Sequence, residues 1–270
     1  MEELRAEGSE VPPHLIFTIY DSDGKEVRKL YKSASKGVKR ITWDLRYAGN
    51  RPVSLRNDKF DPTASQGSGW MVMPGDYTVT LDMYHRGEVT ELAGPEQFTV
   101  KVLEHTTLPA DDRSELVAFQ EEISEVSRIV DASERVAEDM LTNMRKIKQT
   151  LYKTPDASPV LLEKVSRLEA ELEDIMWAFN GQEPKASREE NRPAPPSINE
   201  RLWAIMVPHW SSTSAVTQTQ RDQLELLEEE FPPVLEKIRE IKEEEMPKIE
   251  EELENLGAAW TPGRLPEWNR

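Results

Sequence analysis

The feature that most constrains the fold of this chain is a long apolar seam in its second half. Apolar or small residues recur there at spacings that alternate between three and four: Leu116, Phe119, Ile123, Val126, Val130, Ser133, Ala137, Met140, Met144, Ile147 and Leu151. This spacing places the side chains on one face of a helix, and its persistence over about five heptads is typical of coiled-coil packing. We predict a helix of roughly 40 residues, roughly 60 Å long, which Asp111 or Asp112 caps.

A second seam follows a short break. Ser158-Pro159 supplies an N-cap and a proline at the first helical position, and Asn180-Gly181 supplies a C-cap. The apolar residues between them are Leu161, Val165, Leu168, Leu172, Ile175 and Phe179. Because the link between the two seams is short, the two helices are predicted to form an antiparallel hairpin.

The chain then passes through a polar stretch and a short helix. Residues 182–196 contain four prolines, so we predict an irregular excursion there. Ser197 is the expected cap of a short helix over residues 198–207, which Pro208 breaks.

A last long helix is predicted to open at Ser212 or Thr213 and to end at Gly257. Pro232-Pro233 and Pro247 are expected to kink it, because proline removes a backbone donor. The second half is therefore predicted to be an antiparallel bundle of three or four helices with coiled-coil-like seams.

The first half has the alternating pattern of antiparallel strands. Strands are predicted over residues 15–20 and 25–31, joined by the turn Asp21-Ser-Asp-Gly24, and then over 37–45, 77–82 and 97–103. Residues 47–73 form an irregular stretch that is long for a hairpin loop. Alternation means one buried and one solvated face, as in a β-sandwich.

Composition changes near residue 108, where Gly, Thr, Tyr and Val give way to Glu, Leu, Lys and Ala. Strands followed by helices indicate a segregated α+β chain. We predict two domains, a β-sandwich over residues 1–108 and a helical bundle over 109–270 with an aromatic, proline-rich tail.

Charge and composition exclude several function classes. The net charge is −17, so a nucleic-acid partner is not expected, and the basic clusters at 36–40 and 145–148 are interpreted as solvated surfaces. There is no cysteine, which excludes disulfides and thiolate sites. No apolar run approaches the roughly 20 residues that cross a bilayer, and residues 1–10 do not read as a signal peptide.

The sequence contains no recognisable catalytic or metal-binding pattern. The four histidines are far apart, no His-x-x-x-His or Gly-x-Ser-x-Gly occurs, and the glutamate runs are interpreted as solvated helix surface. We therefore expect no cofactor, no metal and no catalysis in this chain.

The seven tryptophans are the remaining signal. Trp43 and Trp177 are predicted to fill cores, whereas Trp70 lies in the long β-domain loop and is predicted to be an exposed platform. Aromatic residues in loops and beside helix breaks form the candidate interaction surface: Trp70, Tyr47, Phe60, Trp210, Trp260 and Trp268.

Three motifs in the first half resemble the Ig-like domain of flagellar hook-capping proteins. They are Ile19-Tyr-Asp-Ser-Asp-Gly24, Gly37-Val-Lys-Arg-Ile-Thr-Trp-Asp-Leu-Arg46 and Pro74-Gly-Asp-Tyr-Thr-Val79. The β domain followed by helices resembles the C-terminal region of large exported bacterial proteins with sortilin-type, sialidase-like β-propellers, often labelled glycosyl hydrolase-like. The helical half is similar to that region in Gln120, in Ser197-Ile-Asn-Glu-Arg-Leu202 and in Trp260-Thr-Pro-Gly-Arg-Leu-Pro-Glu-Trp268.

The resemblance implies an Ig-like sandwich, an extracytoplasmic location and a structural or docking role, with the propeller of the same parent protein or another protein as partner. Two departures matter: no propeller is present, and the family's first strand, expected near residues 1–4, looks truncated. No catalytic residue is carried over. A carbohydrate-binding module that uses Trp70, Tyr47 and Phe60 is the alternative, and an enzyme domain is a third reading.

Overall fold

The structure, a computed structural model, describes residues 10–53, 60–64, 66–103, 110–183, 193–266 and 268. It confirms a mixed α+β chain in which the strands precede the helices. The predicted boundary at 108/109, the expected strand near residues 1–4 and most of the polar stretch 182–196 lie outside the described residues. The chain divides into two compact units, Met1–Ser124 with His209–Val216 and Glu125–Pro208 with Thr217–Arg270.

The first unit contains six described strands in two sheets. They are β1 (His14–Tyr20), β2 (Glu26–Ser33), β3 (Arg46–Ala48), β4 (Ser68–Met71), β5 (Gly75–His85) and β6 (Glu88–Val100). Four of them form an antiparallel sheet in the order β2-β1-β5-β6, and β3 pairs with β4 in a separate two-stranded ribbon.

The predicted hairpin between β1 and β2 is confirmed. The Asp21 carboxylate accepts hydrogen bonds from the backbone N–H groups of Asp23, at 3.0 Å, and of Lys25, at 2.9 Å. Gly24 has φ 77°, a left-handed conformation that glycine adopts without steric penalty. Asp and Gly therefore shape this turn as the sequence indicated.

Two predictions about the first half are wrong. Residues 37–45 form no strand: Val38 is fully exposed, and Leu45 has φ 58°, which takes the backbone out of the extended region. Residues 47–73 are not wholly irregular, because they contain the end of β3 and all of β4. Residues 37–45 therefore form a loop after β2. The next strand along the chain is β3, which pairs with β4.

A small aromatic core covers one part of the sheet. Ile19, Val27, Val72 and Tyr77 are buried in it, and Leu30, Trp43, Tyr47, Val79, Phe98 and Val100 pack against them. The Trp43 ring lies 5.6 Å from the Tyr77 ring, so the prediction that Trp43 packs in a core is confirmed. Burial raises the pKa of Tyr77 to about 12, and its hydroxyl donates to the main-chain oxygen of Met73 over 2.6 Å.

Five α-helices follow in the part of the chain that the structure describes. They are α1 (Arg113–Lys153), α2 (Pro159–Asn180), α3 (Ile198–Ser211), α4 (Gln218–Glu240) and α5 (Met246–Asn255), with one π-helical turn, Ile241–Glu245, between the last two. Every position of the first seam except the half-buried Val126 is buried, and so is every position of the second seam. No described helix is long and apolar enough to cross a membrane.

The predicted caps of α1 and α2 are confirmed. The Asp112 carboxylate accepts from the backbone N–H of Ser114 over 2.8 Å. The Ser158 hydroxyl accepts from the backbone N–H of Leu161 over 3.1 Å, with Pro159 in the first helical position and Gly181 as the C-cap.

The predicted limits of the later helices need correction. Pro208 does not end α3, which continues to Ser211. The last long helix begins at Gln218 and not at Ser212 or Thr213, because Thr217 and Gln220 form a reciprocal capping box. Pro232 and Pro233 lie inside α4 and do not end it. Pro247 lies in the first turn of α5, just after the π-helical turn.

Ion pairs connect helices within the second unit. Arg145 and Lys148 of α1 contact Glu173 and Glu169 of α2, at 2.9 and 2.7 Å. Lys164 of α2 contacts Glu245 of the π-helical turn at 2.8 Å. Hydrogen bonds from Lys164, and next from Lys248, lower the pKa of Glu245 to about 2.

Candidate functional site

A small cleft of about 230 Å³ lies inside the first unit, between the β3–β4 ribbon and the first turns of α1. Its lining residues are Val27, Tyr47, Ala48, Gly69, Trp70, Val117, Gln120, Glu121 and Ser124. Two of the six candidate residues, Tyr47 and Trp70, therefore meet at one cavity. We call it the Tyr47 cleft.

Trp70 forms the buried wall of the Tyr47 cleft. Its side chain is only 5% exposed, so the prediction that it is an exposed platform is wrong. The indole Nε1–H donates to the main-chain oxygen of Gln120 over 3.0 Å, and Gln120 is itself buried. This bond satisfies the polar atom of the indole inside an apolar environment, as buried tryptophan requires.

Behind Trp70 lies an aromatic layer built from residues 209 and 210. The Trp210 ring is 5.7 Å from the Trp70 ring, and the His209 ring packs at 5.7 Å from Phe119. Burial lowers the pKa of His209, because an apolar environment disfavours the imidazolium.

Arg46 of β3 contacts both Trp210 and the neighbouring strand β4. Its guanidinium lies 5.0 Å from the centre of the Trp210 ring, and Nη2 donates to the Trp210 main-chain oxygen over 2.8 Å. A second nitrogen, Nη1, donates to the oxygen of Gly69 over 3.3 Å. The cation–π contact and the bond from Nη2 hold Trp210 against Arg46, and the bond from Nη1 holds Arg46 against β4. Trp210 is therefore a half-buried packing residue and not a freely exposed ring.

Gly69 allows the two ribbon strands to approach closely. A Cβ atom at this position would lie 2.7 Å from the main-chain oxygen of Ala48 and 3.3 Å from Cβ of Tyr47. Since atoms cannot approach so closely, any side chain at position 69 would push β3 away and move Tyr47.

The mouth of the Tyr47 cleft carries its polar groups. Burial raises the pKa of the half-buried Tyr47 hydroxyl, and the Glu121 carboxylate raises it further. Glu121 pairs with Lys25 at 3.2 Å, and the Ser124 hydroxyl accepts from the Asn50 amide over 2.9 Å. An apolar wall with a few polar groups at its rim is suited to recognition of a small ring.

The other candidate residues lie elsewhere. Phe60 is exposed and does not line the cleft. Trp260 and Trp268 belong to the second unit and are 59% and 84% exposed. The Trp260 indole donates to the main-chain oxygen of Arg264 over 2.5 Å, which orients its ring at the surface.

Two exposed tryptophans were missed by the sequence reasoning. Trp177 on α2 is 54% exposed, so the prediction that it fills a core is wrong, and Trp203 on α3 is 66% exposed. The signal was present in the seam itself, because position 177 falls between the seam positions Ile175 and Phe179 and so on the opposite helical face.

In the part of the chain that the structure describes, no group of three or more His, Cys, Asp or Glu residues is placed to hold a metal ion. Comparison of the chain with protein-family models, with curated proteins and with solved structures gave no match.

Proposed function

We propose that this chain is a non-catalytic structural and interaction region of a larger exported protein, and that its helical half docks a partner protein. The observation that carries the proposal is the exposure of Trp177, Trp203, Trp260 and Trp268, each by more than half of its surface. Tryptophan contributes more binding energy at protein interfaces than almost any other residue, and soluble proteins seldom leave several of them in water without use.

The finer architecture belongs to the same proposal. In this proposal the four-stranded sheet and the β3–β4 ribbon are the two layers of an Ig-like sandwich. The core that they share around Val27 and Tyr77 supports this arrangement. The helices are proposed to form an antiparallel bundle. The buried seams and the ion pairs between α1 and α2 support this arrangement.

The resemblance to the C-terminal region of propeller proteins supplies the proposed partner and location. The partner is the β-propeller of the same parent protein, or another protein, in an extracytoplasmic compartment. The experiment is to identify the polypeptide encoded immediately before residue 1 and to measure its binding to this chain. Propeller repeats that bind through the four tryptophans support the proposal, and an unrelated or non-binding polypeptide contradicts it.

A second candidate function is recognition of a glycan in the Tyr47 cleft. The burial of Trp70 removes the proposed flat platform, yet the half-buried Tyr47 lines the cleft together with Glu121 and Ser124, and a cavity of about 230 Å³ accommodates one sugar ring. A glycan array tests this candidate. A hit that Tyr47→Ala abolishes supports it, and the absence of any hit removes it.

A further inference from the structure

A second, more polar groove lies in the first unit along β2. Its volume is about 440 Å³, and five consecutive residues, 28–32, form one side of it. The other lining residues are 40–42 and 44, and Thr63, Ala64, Gln66 and Ser68. We call it the β2 groove. Its lining shares no residue with the Tyr47 cleft and includes none of the tryptophans on which the proposed function rests.

The charge of the β2 groove is opposite to that of the whole protein. Arg28, Lys29, Lys32 and Arg40 line it, and Asp44 is the one carboxylate among its described lining residues, although the chain carries a net charge of −17. Lys29 is paired with Glu26 at 2.7 Å. Lys32 and Arg40 are exposed and make no ion pair with another described residue. Such a local field attracts an anionic ligand.

Arg28 closes one end of the groove. It is only 5% exposed, and Nη1 donates to the main-chain oxygens of Tyr47, at 2.6 Å, and Gly67, at 2.8 Å. Its Nε is buried and has no hydrogen-bond partner among the described groups. Arg28 makes no ion pair with another described residue, so its positive charge is not neutralised by a carboxylate and adds to the field at this end of the groove.

The register of β2 defines the spacing of these groups. Arg28, Leu30 and Lys32 lie directly opposite Ile19, Phe17 and Leu15 of β1, so the three side chains share one face of the sheet. Arg28 and Lys32 are four residues apart, about 13 Å along an extended chain, with an apolar residue between them.

β2 is also an edge strand. It is the first strand in the order β2-β1-β5-β6, and in the described ranges no strand pairs with its outer side. An unpaired edge presents main-chain donors and acceptors that an extended peptide can occupy by strand addition.

From these observations we propose that the β2 groove binds an extended acidic peptide segment of a partner protein. The peptide pairs its main chain with the edge of β2 and places carboxylates, four residues apart, towards Lys32, Arg40 and the closed end at Arg28. An apolar side chain between the carboxylates contacts Leu30. A polysaccharide would supply negative charge but not the alternating main-chain hydrogen bonds that a β-edge offers.

The test uses the full chain and the fluorescein-labelled peptide Thr-Glu-Thr-Val-Thr-Glu-Thr, with binding followed by fluorescence anisotropy. We expect saturable binding that weakens with added salt, and none for the peptide with lysines in place of the glutamates. N-methylation of alternate residues keeps the charge but removes main-chain donors, and we expect it to abolish binding. Absence of saturable binding at millimolar peptide overturns the proposal.

Matched charge reversals locate the site. We expect the double variant Lys32→Glu/Arg40→Glu to weaken binding about tenfold or more, and Lys36→Glu/Lys146→Glu, which has the same net charge, to change it less than about twofold. Lys32 and Arg40 line the groove, whereas Lys36 and Lys146 do not. Equal loss in both variants overturns the assignment to the groove.

Two further outcomes separate this inference from its competitors. If polygalacturonate binds the groove and the N-methylated peptide binds as well as the unmodified one, the ligand is recognised by charge alone and the peptide assignment is overturned. We expect Trp177→Ala/Trp203→Ala to leave the peptide affinity unchanged, so failure of the tryptophan surface and failure of the β2 groove are distinguishable.

Discussion

The indole nitrogen of Trp70 donates a hydrogen bond to the main-chain oxygen of Gln120 over 3.0 Å, and both residues are buried. This bond joins β4 to the beginning of α1 within the first unit, although the two residues lie far apart in the sequence. Trp70 is therefore a packing residue of the first unit and not a surface residue.

Substitution of Trp70 by alanine is expected to destabilise the first unit strongly. The change removes a large buried ring and its hydrogen bond to the Gln120 oxygen, so we expect a loss of about 3–5 kcal/mol in the free energy of unfolding. Urea unfolding followed by far-ultraviolet circular dichroism measures it.

Trp177→Ala is the matched control, because Trp177 is 54% exposed. Its expected effect on the free energy of unfolding is within about 0.5 kcal/mol. Equal effects of the two substitutions would contradict the placement of Trp70 in the core and of Trp177 on the surface.

Gly69→Ala is expected to destabilise the β3–β4 ribbon. The added Cβ would lie 2.7 Å from the Ala48 oxygen, a main-chain atom that cannot rotate away, so we expect a loss of about 1–3 kcal/mol. Gly67→Ala serves as its control, since a Cβ there meets no described atom within 4 Å. The account is contradicted if both variants unfold at the same urea concentration.

The paired carboxylate of Glu245 predicts a pH dependence of stability in the second unit. Its pKa falls from 4.5 to about 2 in the folded chain, chiefly because Lys164 donates a hydrogen bond to it. A carboxylate with a lowered pKa stabilises the fold above its unfolded pKa, and this contribution is lost as pH falls from about 4.5 through about 2.

We therefore expect Glu245→Gln to lower the melting temperature at neutral pH, and the difference from the unsubstituted chain to shrink between pH 5 and pH 2. Glu243→Gln, two positions away, is the control, because Glu243 makes no ion pair with another described residue. A difference that stays constant with pH would show that Glu245 acts only through packing.

Local signals in the sequence predicted much of the fold. The seam of α1 and the caps at Asp112 and Ser158 needed only neighbouring residues, because helix periodicity and capping are short-range properties. The same holds for the turn at Asp21 and Gly24.

Other features depended on contacts that no local pattern contains. Trp43 and Leu45 alternate with polar residues like a strand, yet no partner strand pairs with them among the described residues, and Leu45 adopts φ 58°. The burial of Trp70 depends on Gln120 and Trp210, which only the tertiary fold brings near. The exposure of Trp177, by contrast, follows from a local pattern, because position 177 lies off the apolar seam of α2.

The central claim, that the helical half docks a partner through exposed tryptophans, is tested most directly by isothermal titration calorimetry. The titrant is the separately produced polypeptide that is encoded immediately before this chain. We expect saturable heat of binding, a loss of affinity of about tenfold or more for at least one of Trp177→Ala, Trp203→Ala, Trp260→Ala and Trp268→Ala, and a near-neutral effect of Tyr152→Ala, an exposed aromatic on α1. No heat of binding, or binding that survives all four tryptophan substitutions together, would contradict the account.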